Sequence, residues 1–256
     1  MSIPGEFVWY ELLTTDVDAA KAFYSHVVGW KTQPFPESPM PYTMWVGEQG
    51  PLGGVMPLPD EAKKMGAPPH WTANVHVADV DKTAARVKEL GGKIYVEPTD
   101  IPTVGRFAVI ADPQGATISI FKPAAEMQSH DPSKAGEFSW RELMTTDNAA
   151  ALEFYKTLFG WEFKSDFDMG PMGKYLMYGQ GERTYGGIMN RPKEVPTSAW
   201  VYYVHVDDIE AAVARATAKG GKLMNGPMDV PGGDRVAQLS DPQGAWFALH
   251  GPGKKP

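Results

Sequence analysis

The sequence predicts an α+β protein built from two copies of one domain, and two observations support this. The segment GEFVWYELLTTDVDAAKAFYSHVVGW at 5–30 returns 131 positions later as GEFSWRELMTTDNAAALEFYKTLFGW at 136–161. Within each copy, a β-rich run followed by an Asp-capped helical pattern occurs twice. Solenoid repeats run at about 20–50 residues, so this longer period indicates a duplicated domain. We expect domains at 1–123 and 136–252, joined by a polar linker at 124–135.

The first module begins with an apolar, β-rich run at 7–13, which predicts a strand. Asp16 follows where a helix N-cap is expected, and apolar residues such as Ala20 and Tyr24 recur at helical spacing. Gly29 is placed to end this helix. Pro- and Gly-rich turns then separate three further strand candidates, at 30–33, 42–46 and 54–58.

The same order of elements restarts at His70, with Asp79 as the predicted N-cap and Gly91-Gly92 as the helix stop. Strands are expected at 93–96, 106–111 and 116–121. In the second half of the chain, the predicted caps are Asp147 and Asp208, and the predicted stops are Gly160 and Gly220. Each half therefore contains two β-α-β-β-β modules.

Composition excludes several classes of function. The 256 residues are 43% hydrophobic and 21% charged, as in ordinary globular proteins, and the net charge of −7 leaves no basic surplus for nucleic acid or an anionic membrane. The absence of cysteine excludes disulfides, thiolate nucleophiles and Cys-ligated metals. The sequence shows neither an export signal nor an apolar run of about 18 residues, so we expect a cytoplasmic protein.

Repeated motifs resemble those of a known superfamily. Each half combines a strand, an Asp-capped helix with Phe-Tyr near its end, a Gly-Trp stop and a closing D-P-x-G hairpin. In the first half these are Asp16, Phe23, Tyr24, Gly29, Trp30 and 112–115; in the second they are Asp147, Phe154, Tyr155, Gly160, Trp161 and 241–244. The pattern resembles the glyoxalase, bleomycin-resistance and extradiol-dioxygenase superfamily, also called vicinal oxygen chelate, and within it a two-domain hydroxylase-like or antigen-like group. The resemblance implies curled half-barrel sheets with helices outside and a small-molecule cavity in each domain.

The resemblance also implies where a divalent metal would be bound, by His or Gln on the first strand of each module and by Glu on the last. Those positions hold Trp9, Thr72, Trp140 and Val201, and then Ser119 and Ala248. These side chains are poor ligands for the metals in question. We therefore predict no metal and no other cofactor, with a divalent metal kept as the alternative.

Polar residues nevertheless share the faces on which the ligands would lie, because residues two apart on a strand point to the same side. Glu11 is predicted to face His76, and Glu142 to face His205. Such a pair suits general acid–base catalysis, which makes these four residues the catalytic candidates. A buried structural hydrogen bond, direct ligand recognition and a two-residue metal fragment are the alternatives.

Further residues are candidates for substrate binding. Trp9 and Trp140 replace metal ligands, which suggests an apolar or flat molecule stacked on an indole. Arg106 and Arg235 could offer a guanidinium to a carboxylate or carbonyl group, the alternative being solvated strand residues. The remaining candidates, taken from the same predicted faces, are Asn74, Ser119 and Tyr203.

The function predicted from these residues is binding of a small apolar or aromatic molecule in a pocket without the usual metal ligands. The alternative is a lyase, isomerase or oxygenase of the same superfamily that uses the Glu–His pairs, with or without a divalent metal. A structural or interaction protein with filled cores is a third possibility. We expect a monomer or homodimer with no nucleic-acid or membrane partner.

Overall fold

A computed structural model describes residues 2–38 and 40–252. Its α-helices are α1 (Val17–Val28), α2 (Asp60–Lys64), α3 (Val80–Glu89), α4 (Asn148–Phe159) and α5 (Ile209–Ala218). The strands in the first half are β1 (Phe7–Thr14), β2 (Lys31–Pro34), β3 (Thr43–Gly47), β4 (Gly50–Pro57), β5 (His70–His76), β6 (Lys93–Ile101), β7 (Gly105–Ala111) and β8 (Thr117–Pro123). Those in the second half are β9 (Phe138–Thr145), β10 (Glu162–Asp168), β11 (Lys174–Gln180), β12 (Arg183–Asn190), β13 (Ala199–His205), β14 (Lys222–Asp229), β15 (Asp234–Ser240) and β16 (Trp246–Pro252).

The strands form two eight-stranded sheets, in the orders β2-β3-β4-β1-β5-β8-β7-β6 and β10-β11-β12-β9-β13-β16-β15-β14. The two orders are identical once the second half is renumbered from its own first strand. In each sheet the first strand of the half runs parallel to the fourth, with Glu11 opposite Gly54 and Glu142 opposite Gly187. The predicted α+β class with two tandem copies of curled sheets is confirmed.

The helices α1, α3, α4 and α5 begin and end where the sequence predicts, because their caps satisfy backbone groups that the helix cannot pair internally. Asp16 accepts a hydrogen bond from the backbone N–H of Ala19 at 3.0 Å, and Gly29 takes the left-handed conformation with φ of 83°. Asp147 and Gly160 do the same for α4. The short helix α2 and a 3-10 turn at Gly170–Met172 have no counterpart among the predicted elements.

The structure divides into two compact units, each of which takes residues from both halves of the sequence. Unit 1 comprises residues 2–8, Ala73–Ser129 and Arg141–Val201, and unit 2 comprises Trp9–Thr72, His130–Trp140 and residues 202–252. The boundaries expected at 123 and 136 mark the sequence duplication, whereas the compact units follow the packing of side chains.

The core of unit 2 is a cluster of aromatic rings around Tyr24 of α1. The rings of Trp30, Trp71 and Phe247 lie with their centroids 5.9, 5.2 and 5.3 Å from that of Tyr24. The Tyr24 hydroxyl accepts a hydrogen bond from Trp71 Nε1 at 2.8 Å and donates one to Asp241 at 3.1 Å. The tyrosine of the Phe-Tyr motif therefore binds the aspartate of the D-P-x-G motif from the other half of the chain.

Unit 1 has the matching core around Tyr155 of α4. Its hydroxyl donates to Asp112 at 3.2 Å, and its ring lies 5.3 Å from Trp161 and 5.4 Å from Trp200. Both tyrosines are fully buried. Burial of aromatic surface drives this packing, and the hydrogen bond satisfies the phenol that burial removes from water.

No helix within the described residues is long and apolar enough to cross a membrane.

Candidate functional site

The side of β1 that faces away from the aromatic core of unit 2 carries the first candidate site. Tyr10 and Leu12 are buried, whereas Trp9, Glu11 and Leu13 are half-buried, as alternation along a strand requires. Trp9, Glu11 and Leu13 therefore share one face, which we call the open face of unit 2.

A hydrogen-bonded chain of three side chains lies on this open face. Trp9 Nε1 donates to the hydroxyl of Tyr42 at 2.7 Å, and that hydroxyl donates to Glu11 Oε1 at 2.9 Å. The ring of Tyr42 lies against the backbone of Gly54, where a Cβ atom would overlap it. Gly54 is the residue opposite Glu11 in the neighbouring strand β4. The glycine therefore allows the tyrosine to reach the carboxylate.

Tyr42 stays protonated over the whole physiological range of pH. Burial, followed by the negative charge of Glu11, raises the pKa of Tyr42 well above its ordinary value of 10.0. The phenol is consequently a hydrogen-bond donor to Glu11 and an acceptor for Trp9, and it is a poor proton acceptor in acid–base catalysis.

Unit 1 carries the corresponding pair from the second half of the sequence. The Tyr175 hydroxyl donates to Glu142 Oε2 at 3.0 Å, and the Tyr175 ring occupies the space that a Cβ at Gly187 would fill. Glu142 is buried, with 6% of its surface exposed. The duplication has therefore kept a carboxylate, a tyrosine and a glycine in the same arrangement.

His76 and His205 are the predicted catalytic partners of Glu11 and Glu142. Neither histidine lies opposite its predicted glutamate on the neighbouring strand. The backbone N–H of His76 donates to Glu6 and its carbonyl accepts from Gly5, both at 2.8 Å. Glu6 directly precedes β1, and Glu11 follows it by five residues, which corresponds to about 16 Å of extended chain. The predicted facing of Glu11 and His76 is corrected accordingly: His76 lies beside the start of β1, and its Nδ1 is 3.3 Å from the hydroxyl of Ser2.

His205 in unit 2 makes the same backbone hydrogen bonds as His76. Its backbone N–H donates to Glu137 and its carbonyl accepts from Gly136, again at 2.8 Å. Glu137 directly precedes β9, and Glu142 lies five residues beyond it, so the second predicted Glu–His pair is corrected in the same way. The ring of His205 lies near that of His250, with centroids 5.6 Å apart.

Three of the predicted binding residues are buried and have polar neighbours: Asn74, Ser119 and Tyr203. Asn74 on β5 is opposite Ser119 on β8 in unit 1, and both are almost completely buried. Tyr203 in unit 2 is also buried and accepts a hydrogen bond from Gln238 Nε2 at 2.9 Å. Trp140 is half-buried. Ligand binding by these four residues stays a prediction.

Both predicted arginines pair with carboxylates. Arg106 contacts Asp81 at 2.8 Å and Asp100 at 2.9 Å. Arg235 is paired with Glu210, and its Nε lies 3.0 Å from Asp229. These ion pairs favour the alternative that the arginines are solvated strand residues.

The residues at the superfamily's metal positions do not fit a divalent ion. Indole, valine and alanine side chains at 9, 140, 201 and 248 supply no donor, and Thr72 and Ser119 offer only neutral hydroxyls. Within the described residues, no three His, Asp or Glu side chains lie close enough together to hold a metal. No chemical step is therefore derived through a metal.

Tyr42 and Tyr175, which contact Glu11 and Glu142, are not among the residues that the sequence predicts for the site. A signal was present: Tyr42 precedes Gly54 by twelve positions, and Tyr175 precedes Gly187 by the same interval. An aromatic residue at a fixed distance from a repeated glycine indicates a ring packed on bare backbone.

Tyr42 also lines an open depression of about 340 Å³ formed by the loop after β2, together with Phe35 and Met40.

Comparison with known proteins assigns the family. The sequence model of the Glyoxalase/Bleomycin resistance protein/Dioxygenase superfamily matches residues 6–120 and 138–249. A Mycobacterium tuberculosis protein with the provisional name glyoxylase CFP32 is 33% identical over 246 residues, covering 94% of this chain and 92% of that protein. The anthracycline biosynthesis protein DnrV of Streptomyces peucetius is 29% identical over 263 residues, covering 96% and 93%.

Solved structures share the fold at low sequence identity. A Mn(II)-bound glyoxalase from Novosphingobium aromaticivorans superimposes with a TM-score of 0.66 at 16% identity, covering 98% of this chain and 83% of that one. The 2,2',3-trihydroxybiphenyl 1,2-dioxygenase of Sphingomonas wittichii gives 0.68 at 10% identity, covering 98% and 91%. With both halves matched by the family model, the chain belongs to the Glyoxalase/Bleomycin resistance protein/Dioxygenase superfamily.

Proposed function

We propose that this protein binds a small apolar or aromatic molecule on the open face of unit 2, at Trp9, Tyr42 and Glu11, without the usual metal. The observation that carries this proposal is the hydrogen-bonded chain from Trp9 through Tyr42 to Glu11. It holds an indole and a phenol, both half-buried, in fixed positions on one face. Rigid aromatic side chains offer large contact area at low entropic cost.

Two further observations support the proposal. The Glu142–Tyr175 pair in unit 1 has the same hydrogen bond, so a second site of similar chemistry is part of the proposal. A relative is named for anthracycline biosynthesis, and anthracyclines are flat polycyclic aromatics. The enzyme alternative depends on Glu–His pairs that the strand geometry separates, so the binding function is favoured.

Binding can be measured with 9-anthracenemethanol, a neutral tricyclic probe, by isothermal titration calorimetry and by polarisation of the probe's fluorescence. We expect saturable binding that Trp9→Ala weakens about tenfold, since loss of an aromatic contact and its buried area costs about 1–2 kcal/mol. Tyr95→Ser is the matched control, because Tyr95 is an exposed aromatic on β6 with 44% of its surface accessible.

The proposal fails if the wild-type protein shows no saturable binding, or if Trp9→Ala and Tyr95→Ser behave alike. Metal analysis of the purified protein tests the proposal that binding occurs without the usual metal. We expect no stoichiometric Mn, Fe, Ni or Zn, and a bound metal that chelators remove together with probe binding would contradict it.

A further inference from the structure

We propose that unit 2 contains a second site, in which Ser139 is a nucleophile towards activated carboxylic esters such as aryl esters. His250 is its general base, and Asp234 is a positioning residue that orients His250. This inference does not rest on the proposed binding function. It follows from the hydrogen bonds that join the three side chains and from a comparison of the two copies of the repeat.

Three strands of unit 2 bring the group together. Ser139 lies on β9, His250 on β16 and Asp234 on β15. Ser139 Oγ is 3.0 Å from His250 Nδ1, and Nε2 of the same ring is 3.1 Å from Asp234 Oδ2. A nucleophile hydrogen-bonded to a base, with the base held by a third group, is the arrangement of Ser-His-Asp catalysis, which recurs on unrelated folds.

The strand register and the burial of these residues leave the group accessible from one side of the sheet. Val236 is opposite His250, and Asp234 lies two residues before Val236 on β15, so Asp234 and His250 share a face. The side chains of His250 and Asp234 are 24% and 44% exposed, and Ser139 is half-buried. A small ester can therefore approach the serine from solvent.

The hydrogen-bond partners assign the protons of the group. A carboxylate only accepts, so the proton between Asp234 and His250 lies on Nε2. A neutral imidazole has one N–H, which leaves Nδ1 to accept the proton of the Ser139 hydroxyl. The carbonyl of Tyr203, at 3.4 Å, is the more distant partner of that hydroxyl.

The environment of His250 favours its neutral form, which is the form that a general base needs. Burial lowers the pKa of His250 below its ordinary value of 6.5, although the charge of Asp234 acts in the opposite direction. The neighbouring ring of His205, with its centroid 5.6 Å from that of His250, also lowers this pKa. At neutral pH, Nδ1 is therefore ready to take the serine proton.

The reaction that this group supports is transfer of an acyl group to water in two steps. Ser139 Oγ attacks the carbonyl carbon of the ester while its proton passes to His250 Nδ1. The bond to the leaving oxygen then breaks, and His250 returns the proton to the departing phenol. Water attacks the acyl-serine with His250 again as the base, which releases the carboxylic acid and restores the serine. Asp234 stabilises the imidazolium in both steps.

The other copy of the repeat has no polar side chain at any of the three positions. Its residues there are Val8, Gly105 and Phe121. Packing of the strands is therefore compatible with apolar residues and glycine at these places. Three separate differences between the copies meet in one hydrogen-bonded group in unit 2, which indicates a function of that unit alone.

A biotinylated fluorophosphonate, which reacts covalently with activated serines, tests the nucleophile in the full-length protein. We expect peptide mass spectrometry to find the label on Ser139, and His250→Asn to abolish it. Hydrolysis of p-nitrophenyl acetate measures turnover. Ser139→Ala and His250→Asn are each expected to lower kcat/KM by at least about 100-fold, since a positioned general base contributes at least that factor.

The positioning role of Asp234 is tested by separating kcat from KM. Asp234→Asn is expected to lower kcat by at least about tenfold with KM unchanged, because the imidazolium loses its carboxylate while the ester still binds. Asp234→Glu keeps the carboxylate and is expected to recover part of the rate. Equal rates for the Asn and Glu variants would contradict this role.

The matched control is Ser2→Ala in unit 1. Ser2 Oγ lies 3.3 Å from His76 Nδ1, but the His76 ring is hydrogen-bonded to the backbone of Ile3 instead of to an aspartate. This variant is expected to leave labelling and hydrolysis unchanged, and thermal unfolding verifies that each variant is folded. Wild-type protein without label on Ser139, or label that persists in His250→Asn, would overturn the inference. The binding of 9-anthracenemethanol is measured separately, so either result leaves the proposed function standing.

Discussion

A Cβ atom at Gly54 would overlap the ring of Tyr42, and one at Gly187 would overlap the ring of Tyr175. At these positions glycine is needed for close approach of a side chain to the backbone. The second glycine of the pairs Gly53-Gly54 and Gly186-Gly187 therefore has a role in the candidate site. The repeat alone did not distinguish this role from that of a turn residue.

Asp112 and Asp241 are residues where burial changes the dependence of stability on pH. Burial raises the pKa of both carboxyl groups above the ordinary value of 3.8, against the lowering effect of their hydrogen bonds. A raised pKa in the folded state means that folding favours the protonated form. The resulting stabilisation is complete below pH 3.8 and is lost as the pH rises through the folded-state pKa.

We therefore predict that the difference in free energy of unfolding between the wild-type protein and the Asp112→Asn, Asp241→Asn double variant changes with pH. The wild-type free energy of unfolding, relative to that of the variant, should fall as the pH rises from below 3.8 into the neutral range. Urea unfolding at a series of pH values measures it. A difference that stays constant, or that grows with pH, would show that these carboxyl groups are not perturbed in this direction.

At the scale of elements, the start of α4 is held by a side chain from the D-P-x-G motif. Gln114 Oε1 accepts from the hydroxyl of Thr145 at 2.8 Å and from the backbone N–H of Asp147 at 2.5 Å. Its Nε2 donates to the carbonyl of Asp147 at 2.8 Å. The repeat-related Gln243 differs, since its Oε1 is buried without a hydrogen-bond partner within the described residues.

This asymmetry predicts different effects of the same substitution. Gln114→Ala removes several hydrogen bonds at a helix N-terminus and is expected to lower the free energy of unfolding by about 1–2 kcal/mol. Gln243→Ala is the matched control and is expected to cost less than about 0.5 kcal/mol, because a buried unsatisfied oxygen is removed with it. Chemical denaturation compares the two. Equal losses would mean that the contacts of Gln114 contribute nothing specific.

At the scale of the whole molecule, each compact unit takes residues from both halves of the sequence. Tyr24 in the first half donates to Asp241 in the second, and Tyr155 in the second donates to Asp112 in the first. A half-chain therefore lacks one partner of each buried pair, together with the aromatic surface that packs around it.

We predict that fragments 1–129 and 130–256 assemble with each other in a 1:1 complex with the native near-ultraviolet circular dichroism. Each fragment alone is expected to lack that spectrum as a monomer, because its aromatic core is incomplete. Size-exclusion chromatography with light scattering gives the stoichiometry. Full-length protein with a protease site in the linker is the control, since cleavage after folding should leave the complex intact. Two fragments that fold separately as stable monomers would contradict the prediction.

The sequence by itself determined the duplication, the α+β class, the capped helices and the superfamily. These follow from local signals: period-two and period-3.6 patterns, an aspartate before each of four helices, and a glycine at or directly after each C-cap. Local signals can be recognised in a single sequence because each one reflects the backbone geometry of a few neighbouring residues.

Only the tertiary structure decided which side chains meet. It placed Tyr42 against Glu11 and separated Glu11 from His76, and it joined Tyr24 to Asp241 across 217 positions of sequence. Alternation along a strand fixes the face of a residue, but the register between strands and the packing of distant segments fix its neighbours. Register and long-range packing depend on how surface from the whole chain is buried, and a single short sequence pattern does not specify that burial.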